Sequence, residues 1–304
     1  MLRFSKMASG SETDPVNASF QDDSLLQFHV RSLRDVEVLN GEGVVHHLII
    51  HPPKNDNLDE ILLRLSFSLT ARNEIQYFSF RDLRISELGH LFLVTTFREG
   101  KDVLLHLEFR NCYINCVVAV AIRYMLQKNM ISELILNRCT FEREVEDHFE
   151  GGLTDNTSLE KISCISCENS GVYEIVRCFL IHCTNNNLLH VSLTLTSDEA
   201  WDSLRDFLSR NEQLQSLFLY TSVIDRAAMD TIILNCMTIE GLNCLGFKFC
   251  DINPNGLIKL FDTIVKYKFL NVLCLDTIPG SMLVGVPSNL QLDNLVIEQC
   301  HFVS

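Results

Sequence analysis

Two thiols three residues apart, as in Cys164-Ile165-Ser166-Cys167, can exchange a disulfide or supply half of a metal site. Neighbouring histidines at His46 and His47, and the carboxylates Glu142 and Glu144, offer other ingredients of a metal or acid–base centre. None has the partners that such chemistry needs. No second Cys-x-x-Cys stands at a ligand-like distance, and His46 and His47 within a strand would point to opposite faces. The stretch around Glu142 and Glu144 reads as a solvated helix face. The chain has no Gly-x-x-x-x-Gly-Lys-Ser/Thr phosphate loop, no His-Glu-x-x-His zinc motif and no Gly-x-Ser-x-Gly elbow. Gly41-x-Gly43 lacks the rest of a dinucleotide fingerprint. The expectation is a non-enzymatic protein without cofactor or metal.

The frame that positions these residues is a phrase, Leu-x-x-Leu-x-Leu-x-x-Cys, recurring about every 28 residues. Copies stand at Leu104-Leu107-Phe109-Cys112, Ile131-Leu134-Leu136-Cys139, Leu159-Ile162-Cys164-Cys167, Leu242-Leu245-Phe247-Cys250 and Leu292-Leu295-Ile297-Cys300. Cys164 therefore fills a leucine slot, and Cys167 fills the recurring cysteine slot. Free cysteine packs as a small hydrophobe, so Cys112, Cys139, Cys164, Cys167, Cys250 and Cys300, which fill repeat slots, read as reduced core residues, and that fits a reducing compartment. The triplets at Asn17 and Asn156 that match a glycosylation sequon then read as chance.

Central anchors run through Leu48, Phe78, Leu107, Leu134, Ile162, Val191, Leu217, Leu245, Leu273 and Leu295. Alternation around each anchor is the period of a short strand with one buried face. Helical spacing follows, as in Val172, Ile175, Val176 and Phe179, or Trp201, Leu204 and Leu208. Ser197 is placed to cap one helix, and Asn253-Pro254 to open another. One strand–turn–helix unit cannot bury both of its apolar faces, but stacked units can. Strands are narrower than helices, so the stack must curve with its sheet inside.

The phrase Leu107-x-Phe109-x-x-Cys112-x-Ile114 and its period resemble leucine-rich repeats of the ribonuclease-inhibitor-like class over roughly residues 40–304. The resemblance implies an α/β solenoid, curved, with a parallel β-sheet on the concave face and helices on the convex face. It also implies a scaffold used mainly for protein binding. Residues 1–22 read as a disordered tail, and 23–304 as a repeat domain of about ten units. Leu25, Phe28 and Val30 would belong to an N-terminal cap. From Leu273 to Leu295 the step falls to 22, and Pro279, Gly280, Gly285 and Pro287 argue against a helix there. No C-terminal cap is evident after Cys300, so that end is a candidate contact.

A formal charge of −14 repels phosphate backbones, and the longest apolar run, Cys116–Ile122, is too short to span a bilayer. The expected partner is a protein, with no nucleic acid and no membrane span. The expected location is cytoplasmic, with the nucleus as alternative. On the inner face, Arg81 and Arg110 should be neighbours, Phe218 and Tyr220 should stand exposed together with Lys248 alongside, and Phe249 should lie just off the columns. Asp276, Asp293 and Glu298 should form an acidic patch. These residues describe a concave surface for a protein partner. Two other roles compatible with the resemblance are substrate recognition in a ubiquitin-ligase adaptor or immune-type sensor, and GTPase activation. Leu58–Leu65 has an F-box-like look, but it falls where the first repeat's helix should be.

Overall fold

The computed structural model describes residues 27–41, 45–69, 75–86, 104–167, 171–183, 187–267, 270–278, 290 and 294–298. The expected 1–22 tail, segment 279–289 and the chain after Cys300 lie outside these residues.

Each copy of the phrase forms one strand of a single 11-stranded sheet. The strands are β1 (Gln27–Val30), β2 (His47–Ile50), β3 (Tyr77–Arg81), β4 (Leu104–Arg110), β6 (Ile131–Asn137), β8 (Lys161–Ile165), β9 (His190–Leu193), β10 (Ser216–Tyr220), β12 (Cys244–Lys248), β14 (Val272–Asp276) and β15 (Asn294–Glu298). They lie side by side in chain order and all run parallel. The anchors are in register: Leu48 pairs with Phe78, Phe78 with Leu107, Leu107 with Leu134, and so on to Leu273 with Leu295. Short strands β5 (Tyr113–Ile114) with β7 (Thr140–Phe141), and β11 (Val223–Ile224) with β13 (Asp251–Ile252), form two further ribbons.

Eight helices among the described residues cover the apolar side: α1 (Leu33–Gly41), α2 (Leu58–Leu69), α3 (Cys116–Gln127), α4 (Glu146–Leu153), α5 (Gly171–His182), α6 (Asp198–Arg210), α7 (Arg226–Cys236) and α8 (Pro254–Tyr267). Short polar side chains start several of them, although α4 begins after Val145 without a side-chain cap. Ser197 Oγ accepts from Ala200 N at 3.2 Å, and Asn253 Oδ1 accepts from Asn255 N and Gly256 N at 3.0 and 3.3 Å. Strand anchors and helix faces meet in one continuous core. Because helices pack about 8–10 Å apart and strands only about 4.8 Å, the body bends around its sheet.

The F-box-like segment is the start of α2, whose Ile61, Leu62 and Leu65 are core residues. The phrase read as part of an N-terminal cap supplies β1, and its own helix α1 follows. Glu142 and Glu144 do not lie on a helix face. They occupy the turn before α4, where Glu142 Oε2 accepts from the Cys116 N–H at the start of α3. Asn156 is buried, with its amide bonded to Leu126 O and Leu159 N, so it is a structural residue.

A left-handed residue follows most of the longer strands: Asp82, Asn111, Arg138, Ser166, Thr221, Phe249 and Thr277. In five of these turns the N–H donates to a carbonyl at the end of the next strand, as in Asn111 N to Asn137 O at 2.8 Å and Phe249 N to Asp276 O at 3.1 Å. The turn thereby extends the ladder by one bond. Just beyond, the recurring cysteines act as donors. Cys112, Cys139 and Cys250 each place Sγ 3.3 Å from the carbonyl of Phe80, Phe109 or Leu219 on the preceding strand. Their conserved spacing within the chain reflects this backbone role in the core.

Candidate functional site

Alternation along each strand sends every second side chain away from the helices, onto the concave face. Three columns result. The two expected columns begin at Ser79 and Arg81. A third, one residue before the anchors, runs His47, Tyr77, His106, Glu133, Lys161 and His190 in direct register. This column escapes a reading centred on the slots inside the Leu-x-Leu phrase. Strict alternation points to it, since its members sit two residues before an outward slot.

The N-terminal half of this face is a hydrogen-bonded charge network. Glu133 Oε2 lies 3.0 Å from His106 Nδ1 and 3.5 Å from Lys161 Nζ. Burial raises the Glu133 pKa, but His106 and Lys161 outweigh it and hold the carboxyl below its usual range. Tyr77 sits between His47 and His106, with ring centroids 5.6 and 5.4 Å away. Burial, then the nearby His106, pushes His47 down to about 4. Among the described residues, its buried Nε2 has no hydrogen-bond partner. Burial and then Lys161 likewise lower His190, whose Nδ1 is 2.8 Å from Ser216 Oγ.

Arg81 and Arg110 are register partners, as their slots predict. Arg81 is not fully available, because its Nε donates to Ser79 Oγ at 3.2 Å and its guanidinium lies 3.7 Å from Glu108.

The C-terminal half departs from expectation. Phe218 and Tyr220 are buried, at 4% and 5% exposure, and form a small apolar cluster with Ile165 and Cys274. The reason lies one strand away. Phe218 pairs with Gly246, which has no side chain, and the ring takes that space. Tyr220 lies beside Lys248, whose Nζ is 5.9 Å from the ring centroid. Lys248 and Asp276 are also buried, and Asp276 Oδ1 accepts from Thr277 Oγ1 at 2.9 Å. Glu298 pairs with Asp276 through the backbone register; its side chain and Asp293 lie outside the described residues.

Of the three aromatics Phe218, Tyr220 and Phe249, Phe249 is the one that reaches solvent. It is 50% exposed and sits at φ 54°, in the left-handed turn after β12. A bulky side chain is disfavoured there, where Asn, Asp or Gly is the usual occupant.

Cys164 Sγ donates to Cys167 Sγ at 3.9 Å, and the two thiols are not joined by a disulfide. Their shared hydrogen bonds with Cys167, together with burial, hold Cys139 and Cys164 well above the usual thiol range. Among the described residues, no group of three or more His, Cys, Asp or Glu could hold a metal ion. Among them too, no helix is long and apolar enough to cross a membrane.

No family model and no curated protein matches the chain. Solved structures do resemble it. A Bacteroides fragilis protein aligns with a TM-score of 0.54 at 11% identity, over 87% of this chain and 77% of its own. The leucine-rich repeat-containing protein LegL7 from Legionella pneumophila aligns with a TM-score of 0.51 at 13% identity, over 90% and 89%. At such identities the likeness speaks for the fold alone. With the parallel sheet and the in-register repeat, it makes this chain a curved leucine-rich repeat solenoid.

Proposed function

We propose that the chain is a non-catalytic interaction scaffold that binds a protein partner on its concave face. The observation that carries this reading is Phe249. An apolar ring held half-exposed in a left-handed turn costs stability twice, through its backbone and through its contact with water. A cost kept at the rim of a sheet face is accounted for if the ring is covered in a complex. Lys248 precedes it on β12 and lies beside Tyr220 of β10, both buried in the floor of the face, while Arg81 and Arg110 carry positive charge at the other end. Charge at the ends would orient a partner, and the ring would supply affinity.

The test is capture of partners by the intact chain, compared with two variants. Phe249→Asp combined with Arg110→Glu alters the concave side, and Lys259→Glu alters the exposed side of α8. Partners retained by the α8 variant and lost by the concave one support the proposal. Loss only with the α8 variant refutes it.

A further inference from the structure

We propose that the N-terminal end of the concave face is a binding site for a carboxylate-rich peptide segment, seated along the row Arg31, His51, Arg81 and Arg110, and that it takes up protons as the peptide binds. This rests on the reading of the concave face as the binding face, and it names the partner's chemistry there.

The row follows from register. Val30 pairs with Ile50, Ile50 with Phe80, and Arg81 with Arg110, so the residues after Val30, Ile50 and Phe80 continue as one line with Arg110. Its members stand about one strand spacing, or 4.8 Å, apart. Neither Arg31 nor Arg110 has an ion pair among the described residues, although the chain as a whole is strongly acidic. The carboxylates beside the row are engaged. Glu108 accepts from Ser79 Oγ at 2.5 Å, Asp82 accepts from Asn111 Nδ2 at 2.6 Å, and Asp35 accepts from the Arg31 backbone N–H at 2.8 Å. Guanidinium groups in a line suit successive carboxylates on an extended chain, because each fork can hold two oxygens.

The proton linkage comes from two stacked imidazoles. His29 Nδ1 and His51 Nε2 are 2.9 Å apart, with ring centroids at 5.2 Å. The groups facing His29 are Arg31, Arg81, His51 and, on the next strand, His47; those facing His51 are Arg31, His29, Arg81 and Asp82. Burial, and then these arginines, lowers both pKa values below 6.5, with Asp82 opposing weakly at His51. Carboxylates paired to Arg31 and Arg81 would cancel that repulsion and add negative charge, so both imidazoles would bind protons more readily in the complex. More protons in the bound state means affinity that rises as pH falls through the imidazole range.

The experiment uses the full chain and a labelled synthetic peptide of alternating Glu and Ser, followed by anisotropy at about pH 7.5 and about pH 5.8. Tighter binding at the lower pH, by about tenfold, is expected from an average uptake of about 0.6 proton across this interval. Calorimetry in two buffers of different ionisation enthalpy should register that uptake directly. Arg31→Glu with Arg110→Glu should remove binding, whereas His29→Asn, which lies outside the row, should keep it at neutral pH and weaken the pH response. Equal affinity at both pH values overturns the proposal. So does unchanged binding by the double-Glu variant, or tighter binding of a single-stranded oligonucleotide of equal charge. If the peptide fails while captured partners still depend on Phe249 and Arg110, only the acidic-peptide site falls. If no partner depends on them, the binding face itself is misassigned.

Discussion

The ring of Phe218 occupies the space that a side chain at Gly246 would need. A Cβ built on Gly246 falls 2.2 Å from Phe218 Cδ1 and 2.3 Å from Cε1. The two residues are register partners on β10 and β12, so the empty slot on one strand is filled from the next. This arrangement turns an aromatic expected on the surface into the floor of the concave face.

Gly246→Ala should therefore force the Phe218 ring out of its seat. The expected cost is about 1–3 kcal/mol of stability, the usual range for overpacking a filled site. Combining it with Phe218→Leu should recover part of the loss. Denaturation of the single and double variants measures this, and equal losses in both would show that the ring is not the obstacle.

Phe249→Asn should act in the opposite direction on stability. Asn tolerates the left-handed turn and removes an exposed ring, so stability should rise by about 0.5–1 kcal/mol. The same change should weaken partner binding. A denaturant midpoint that falls would contradict the strain assigned to this turn.

The strands and their inward residues were legible because a fixed period forces every anchor into register, from Leu48 to Leu295. The cysteine slot was legible for the same reason. What the sequence did not reveal depends on contacts between columns. The fate of Phe218 turns on the size of residue 246, which lies 28 positions later in the chain (246 − 218). Tyr220 was misplaced likewise, because Ile165 and Cys274 join it from strands that local pattern does not connect. The His47-to-His190 column follows from simple alternation, but its network needs Glu133, His106 and Lys161 to converge on one oxygen.

Glu133→Gln should unsettle that network and its pH response. The carboxyl has a lowered pKa in the fold, so its contribution is present above the unfolded value of 4.5 and lost as pH falls through the folded one. Lys161 is buried beside it, and loss of the charge leaves that ammonium with less compensation. The variant should be less stable than the parent at neutral pH, and the gap should narrow below about pH 4. A constant gap down to pH 3 would mean that Glu133 acts by packing alone.

His47 sets a slope of the same sign over a higher range. Its folded pKa of about 4 lies below its unfolded value of 6.5, so between these limits the unfolded chain binds more protons than the folded one. Stability then rises with pH across that window, and acidification from neutral should erode it. His29, His51 and His190 shift in the same direction and add to the slope. His47→Phe removes the titration and the unsatisfied Nε2 while keeping a ring against Tyr77. Relieving a buried polar atom without a partner should stabilise the fold by about 1 kcal/mol near neutral pH. The difference from the parent should widen toward about pH 4, because only the parent still protonates His47 on unfolding. Denaturation profiles at several pH values read both effects, and parallel curves for the two proteins would show that His47 is not the group that responds to acid.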